Sequence, residues 1–245
     1  SALGISLACM HRNIKVVHLE SGLRSYDIEN PYPEEFNRKL ISQIAHIHLC
    51  PTNDNKNNLL KENIHKNVYV VGNTVLDNIV NLKNKVVYDK KILITIHRRE
   101  NHEIIEQWFT EIENLAKIYT DYEFILPIHP NPNVIKHKKI FSKVKVIEPL
   151  EHSDMIKLLL NVTLVITDSG GLQEECSFLN KKCLVCRKTT ERQESLNLSS
   201  FIVPSPNDLL KEFNYHIKNY KINYTSPYGD GYSSEKIINV LKKYL

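Results

Sequence analysis

Apolar positions along the chain fall into two alternating textures. Short β-rich runs at residues 14–19, 45–50 and 68–71 are separated by longer stretches with apolar residues at helical spacing, as at 34–44 and 75–82. Residues 83–90, rich in lysine and asparagine, read as a linker. A second series then begins at 92–96 and continues through 124–126, 144–147, 164–167 and 183–185. Short apolar runs that alternate with helices predict parallel strands covered by helices on both faces of the sheet. Residues 1–9 open the chain in a helix-like segment, and Asn53 or Asp54 suits a helix N-cap. The second series has strands enough for a complete doubly wound domain, whereas the first has too few. The expectation is an α/β protein with two Rossmann-like doubly wound domains, the first incomplete. It spans residues 1–82, then 83–225, with a C-terminal helix at 226–245.

Composition narrows the function classes. With 42% apolar and 24% charged residues, the 245-residue chain has the profile of a globular protein. Its net charge of +4 comes from dispersed lysines such as Lys181, Lys182, Lys242 and Lys243. These read as a solvated surface, not the concentrated basic face of a nucleic-acid binder. No apolar run reaches the roughly 18–20 residues of a membrane helix, and residues 1–12 lack the pattern of a signal peptide. The chain starts with Ser, which reads as a sign of sequence upstream. Five thinly spread cysteines suggest reduced thiols in a cytoplasmic protein. Cys183 and Cys186 form a C-x-x-C inside a buried strand pattern and read as core residues, not a metal or redox site.

Ligands of open α/β sheets bind beyond the carboxyl ends of the strands, so the polar residues there carry the information. Residues 164–167 lead into Asp168-Ser169-Gly170-Gly171 and then a helix expected at 172–179. Glycines allow close approach of a ligand and a helix N-terminus offers free N–H groups, a seat for a diphosphate. A tight strand-to-helix turn would use the same residues. Glu174 and Glu175 follow on that helix, where a carboxylate could accept from a ribose diol. In the first series, residues 14–19 end in Glu20-Ser21-Gly22-Leu23-Arg24, and Pro33 precedes Glu34 at a helix start. Glu20 and Glu34 could share acid and base work in one cleft, or be a capping and a surface carboxylate. His97-Arg98-Arg99-Glu100-Asn101 follows residues 92–96 and suits polyanion recognition and proton transfer, or a solvated basic turn.

Taken together, the motifs are specific. His18-Leu19-Glu20-Ser21-Gly22-Leu23-Arg24, Pro33-Glu34-Glu35-x-Asn37-Arg38 and Val71-Gly72-Asn73-Thr74-Val75 come first. His97-Arg98-Arg99-Glu100, His129-Pro130-Asn131-Pro132-Asn133 and Asp168-Ser169-Gly170-Gly171-Leu172-Gln173-Glu174-Glu175 follow, then Thr190-Glu191-Arg192 and Pro227-Tyr228-Gly229-Asp230-Gly231. In this order they closely resemble the non-hydrolysing UDP-N-acetylglucosamine 2-epimerase family, over nearly the whole chain.

The resemblance implies a GT-B-like fold and C2 inversion of a UDP-2-acetamido sugar, with no cofactor and no metal. UDP would leave by anti elimination to a 2-acetamidoglucal and then add back. By motif, Glu20, Glu34 and His97 fall on catalytic positions, Ser169, Gly170 and Gly171 on the diphosphate site, and Glu175 on the ribose site. Arg98 would lie by the phosphates, and Asn73 and Arg192 would line the cleft. The expected partners are a UDP-sugar and a second copy in a homodimer, with neither nucleic acid nor membrane. The family's essential aspartate and an N-terminal strand and loop would fall before Ser1, so the 245-residue chain alone is expected to be nearly inactive. Gln193-Glu194-Ser195 stands where many members have Pro-Glu-Gly or Pro-Glu-Ala, and Met155 where relatives often have an aromatic. Three alternatives stay open: the same chemistry on a 2,6-dideoxy-hexose or diacetamido uronic acid, to which the Gln193 departure points; a GT-B glycosyltransferase, which the Asp168-Ser169-Gly170-Gly171 turn and Glu175 would fit; or a non-catalytic UDP-sugar-binding remnant, to which the missing aspartate points.

Overall fold

The computed structural model describes residues 2–244, which form two compact units. Ser1 and Leu245, the outer ends of the expected first and last segments, lie outside the described residues. One unit runs through Val80 and is completed by the segment beginning at Pro227; the other is Asn81–Ser226.

The first unit contains α1 (Ala2–His11), β1 (Val17–Leu19), α2 (Glu34–Ile44), β2 (Ile47–Cys50), α3 (Asn53–Lys61) and β3 (Val68–Val70). Its strands form a parallel sheet in the order β1-β2-β3. The cap of α3 is Thr52, one residue before the expected Asn53 and two before Asp54. Thr52 accepts from the Asn55 N–H while the Asn55 side chain accepts from the Thr52 N–H, both at 3.1 Å. That reciprocal box satisfies two helix-end groups at once, which a cap at Asn53 would not. The helix expected at 75–82 is instead two 3-10 segments, Thr74–Asn78 and Val80–Lys85. Val75, Ile79 and Val80 are β-branched and Asn78 is a poor helix former. Asp77 is also committed elsewhere: its two carboxylate oxygens accept from the Ser233 and Ser234 N–H groups at 2.9 and 2.7 Å.

The second unit contains β4 (Lys91–Thr95), α4 (Ile105–Ile118), β5 (Glu123–Pro127), α5 (Pro132–Ile135), β6 (Lys145–Ile147), α6 (His152–Asn161), β7 (Leu164–Thr167), α7 (Gly170–Phe178), β8 (Lys182–Val185), β9 (Ser200–Ile202) and α8 (Leu209–Lys218). The last helix, α9 (Ser233–Leu241), folds back onto the first unit, where Asp77 caps its N-terminus. Its Val240 packs with Ile47, Leu49 and Val71. Strand β9 was not expected, since its only strongly apolar residues are Phe201 and Ile202 after two serines.

All six strands of the second sheet are parallel, in the order β6-β5-β4-β7-β8-β9. Counted from its own first strand this is the dinucleotide-type order, with its reversal between β4 and β7. The apolar stripe of α4, with Ile105, Trp108, Phe109, Ile112 and Leu115, packs on Ile92, Ile94, Leu164 and Ile166. Cys183 and Cys186 are fully buried, as core residues should be.

Lys181 and Lys182 are not the solvated residues the sequence suggested. Lys181 is fully buried, donating to the carbonyls of Val87, Leu160 and Val162 beneath the Tyr88 ring. It closes the C-terminal end of α6, where carbonyls lack helical partners. Burial pushes its pKa down to about 8. Lys182 lies 5.1 Å over the Phe201 ring, 3.5 Å from His216 Nδ1.

Candidate active site

In the second unit the site grows from the two strands flanking the order reversal. His97 follows β4 and Asp168 follows β7, so both stand at carboxyl ends of adjacent central strands. Asp168 is fully buried, and one carboxylate oxygen, Oδ2, gathers the loop after β4. It accepts from the His97 N–H at 3.0 Å, the Arg98 N–H at 2.8 Å and the Asn101 side chain at 3.0 Å. His97 is thereby fixed, half-buried, with its ring stacked on His129 at 4.9 Å. Burial pulls the His97 pKa down, Asp168 pushes it back up, and His129, Arg98 and His102 lower it further.

The glycines after Asp168 are not a turn before the helix, as expected; they are its first two residues, with Ser169 at the N-cap. The Ser169 side chain makes no capping bond. Its helix end therefore presents backbone N–H groups and the positive end of the dipole, the arrangement that binds phosphate. Gly170 is closely packed: a β-carbon there would lie 3.2 Å from Cζ of Arg192 and 3.2 Å from Oε1 of Glu191. At Gly171 a β-carbon would meet nothing within 4 Å. Arg192 thus abuts the start of α7, held by Glu174 at 2.8 Å and Glu191 at 2.6 Å. Glu191 also pairs with Arg187, which in turn pairs with Glu100. One turn into α7, Glu175 is buried and accepts from His152 Nε2 at 2.9 Å. Burial raises its pKa while His152 draws it back down.

In the first unit β1 is followed at once by Glu20, which takes a left-handed φ of 57°. A non-glycine residue in this region is uncommon and marks a strand end turned sharply. Gly22 completes the turn at φ 84°, where a β-carbon would strike the Asn55 carbonyl oxygen at 2.1 Å. Glu20 Oε1 accepts from the Asn73 side chain at 3.2 Å, and Asn73 is buried. Glu34 is the exposed first residue of α2, while Glu35 beside it is buried and accepts from the Tyr26 N–H. Arg24 is structural: its guanidinium grips Glu62 at 2.7 and 2.6 Å and Ser42 at 3.0 Å. Ser21 Oγ lies 3.1 Å from Nδ1 of both His18 and His48.

Of the residues singled out from sequence, then, the first unit holds Glu20, Glu34 and Asn73, with Glu20 and Asn73 in contact. The second unit groups Ser169, Gly170, Gly171 and Arg192 at one helix end, with His97 and Arg98 tied to it through Asp168 and Glu175 further along α7. Sequence reasoning passed over Asp168 as an acceptor, and His129, His152 and Glu174 as partners. His129 was legible only as part of a motif. Among the described residues no group of three or more histidine, cysteine or acidic side chains could hold a metal ion.

The sequence profile of the UDP-N-acetylglucosamine 2-epimerase family matches residues 1–242. The chain belongs to that family. The UDP-N-acetylglucosamine 2-epimerase of Neisseria meningitidis serogroup A is 39% identical over 270 residues, covering 97% of this chain and 72% of that protein. The enzyme of the same name from Salmonella borreze is 37% identical, over 96% of this chain and 70% of its own length. A Neisseria meningitidis crystal structure, bound to UDP-N-acetylglucosamine, matches with a TM-score of 0.90 at 37% identity, over 98% of this chain and 73% of that one. The family places the chain among α/β proteins of the GT-B-like class. No described helix is long and apolar enough to cross a membrane.

Proposed function

We propose that this family member interconverts UDP-N-acetylglucosamine and UDP-N-acetylmannosamine by anti elimination and re-addition of UDP. The observation that carries this reading is the junction of β4 and β7. There a histidine loop and the open N-terminus of α7 stand side by side at the reversal of strand order. A helix end with two glycines and clamped Arg192 beside it fits a diphosphate, and buried Glu175 one turn on fits a ribose diol. The related Neisseria enzyme, bound to UDP-N-acetylglucosamine, points to the same ligand.

The chemistry follows from the weak acidity of the hexose C2–H. A carboxylate removes that proton as the C1–O bond breaks, its electron pair leaving with UDP and a C1–C2 double bond forming. Re-addition reverses these steps with the proton delivered to the other face. No net oxidation occurs, so no redox cofactor is required. Glu20 and Glu34 are the carboxylates for this work, and His97 with Arg98 stabilises the departing diphosphate. Asn73 holds Glu20, and Arg192 shapes the phosphate seat. In the same reading the protein is a cytoplasmic homodimer. Its five free cysteines suit a reducing compartment, and light scattering in solution tests the dimer.

Elimination and re-addition predict a specific isotope result. UDP-N-acetylglucosamine carrying ¹⁸O in the C1–O–P bridge should scramble that label into the non-bridging β-phosphate oxygens, read by ³¹P NMR with the natural full-length protein. Epimer formation without scrambling rejects the mechanism. Scrambling with a 6-deoxy substrate but not with UDP-N-acetylglucosamine leaves the reaction class and changes the sugar.

A further inference from the structure

We propose that Asp168 is the positioning residue for His97, fixing its tautomer and holding its imidazolium form against a nucleoside diphosphate. The inference rests on the assignment of His97 to the site just described.

The two oxygens of Asp168 are used very differently. Oδ2 is saturated by two backbone N–H groups and one amide, which is enough to order the loop after β4. Oδ1 is equally buried yet receives no hydrogen bond. A desolvated carboxylate oxygen left without a donor costs free energy that a purely structural residue would avoid. The ionisable side chain beside it is His97, with Nδ1 at 3.8 Å. That is about 1 Å longer than a charge-assisted N–H···O bond.

The carboxylate cannot turn elsewhere to satisfy Oδ1. Asn101, which holds Oδ2, also donates to the Cys186 carbonyl at 3.0 Å and accepts from Trp108 Nε1 at 3.2 Å. The imidazole is constrained as well, since it stacks on His129 with only 13° between the rings. His129 is itself set by accepting the Asn131 N–H on Nδ1 at 3.1 Å. The ring of His97 can therefore approach Oδ1 by sliding within the stack. Nδ1–H then faces Asp168, and Nε2, on the far side of the ring, is left for a ligand.

The groups facing His97 are Asp168, His129, Arg98 and His102, the last with Nε2 3.0 Å from the His97 carbonyl. Asp168 alone among them favours the charged ring. Without it, a half-buried imidazole beside an arginine and two histidines would be free to exchange tautomers and would take up a proton still less readily. With it, an arriving diphosphate meets a histidine whose second nitrogen is already anchored.

The test is ¹⁵N NMR of the His97 ring in the wild type and in Asp168→Asn, titrated with and without UDP. In the wild type at neutral pH the expected form is the Nδ1–H tautomer. Removing the opposite charge in Asp168→Asn should lower the His97 pKa by at least about one pH unit, tenfold in proton affinity, and mix the tautomers. An Nε2–H tautomer in the wild type overturns the proposal even if the variant fails to fold. So does an unchanged pKa in a folded variant. UDP should raise the wild-type His97 pKa and raise it less in Asp168→Asn. A pairing intact without ligand, with His97 unmoved by UDP that is shown to bind, rejects the site assignment while leaving the pairing standing.

Discussion

Replacing each glycine at the start of α7 by alanine separates packing from ligand approach. At Gly171 the added methyl meets no protein atom within 4 Å, and the residue sits in the first helical turn with no left-handed φ. Gly→Ala at such a position stabilises by about 0.4–1 kcal/mol, through the entropy of the unfolded chain. For a chain of this size that is about 1–4 °C in Tm. The open space above Gly171 is, however, where a diphosphate would contact the helix N–H groups. A methyl there should weaken UDP binding about 10- to 100-fold, or about 1.4–2.7 kcal/mol. At Gly170 the methyl would press 3.2 Å from Arg192 Cζ, and two carboxylates hold that guanidinium against the few tenths of an ångström it would have to give. Overpacking of this kind costs about 1–3 kcal/mol, outweighing the helix gain. Calorimetric melting and UDP titration of both variants read the two effects separately. Wild-type UDP affinity in Gly171→Ala would refute the diphosphate seat. A fall in its Tm would refute the packing argument.

Glu175→Ala should weaken UDP binding by about 1.5–3 kcal/mol if its buried carboxylate takes ribose hydroxyls. The deficit should vanish when wild type and variant are compared with a deoxyribose analogue. Arg24→Met leaves Glu62, with a quarter of its side chain exposed, facing a vacated buried site. Urea unfolding should show a loss of about 3 kcal/mol, the low end for a broken buried pair, and a loss below about 1 kcal/mol would mark the pair as solvated. His18 and His48 should make the first unit acid-sensitive. Burial above all, then His48, Arg24 and Arg38, pulls the His18 pKa from 6.5 to about 4, and burial lowers His48 too. The unfolded chain then binds protons more readily than the fold. The stabilisation is complete above pH 6.5 and is lost as pH falls toward 4. Urea midpoints should drop across that window, and drop less in His18→Gln.

The strands of the second unit were legible because buried parallel strands leave continuous apolar runs, as at Ile92, Leu93 and Ile94. Strand β9 was not, because Ser200 pairs beside Cys183 through hydrogen bonds that apolar patterning does not register. Lys181 was misjudged for a related reason: lysine reads as surface, and only the fold reveals the three carbonyls gathered around its ammonium group. At the site, residue types and order pointed to His97, Ser169 and Glu175. What sequence could not provide were partnerships fixed by tertiary structure: Asp168 with His97, His152 with Glu175, and Arg192 between Glu174 and Glu191. Arg24 shows the converse, since a motif arginine proved to be a buried tie between helices.

The central claim, proton exchange at C2 through elimination of UDP, is tested most directly in deuterated water. UDP-N-acetylglucosamine is incubated with the natural full-length protein and followed by ¹H NMR at the hexose C2 position. The account predicts that UDP-N-acetylmannosamine appears with deuterium at C2, and that recovered UDP-N-acetylglucosamine gains the same label while C3 to C6 stay protonated. Retention of protium at C2 in every product, from a folded protein shown to bind UDP, would contradict it.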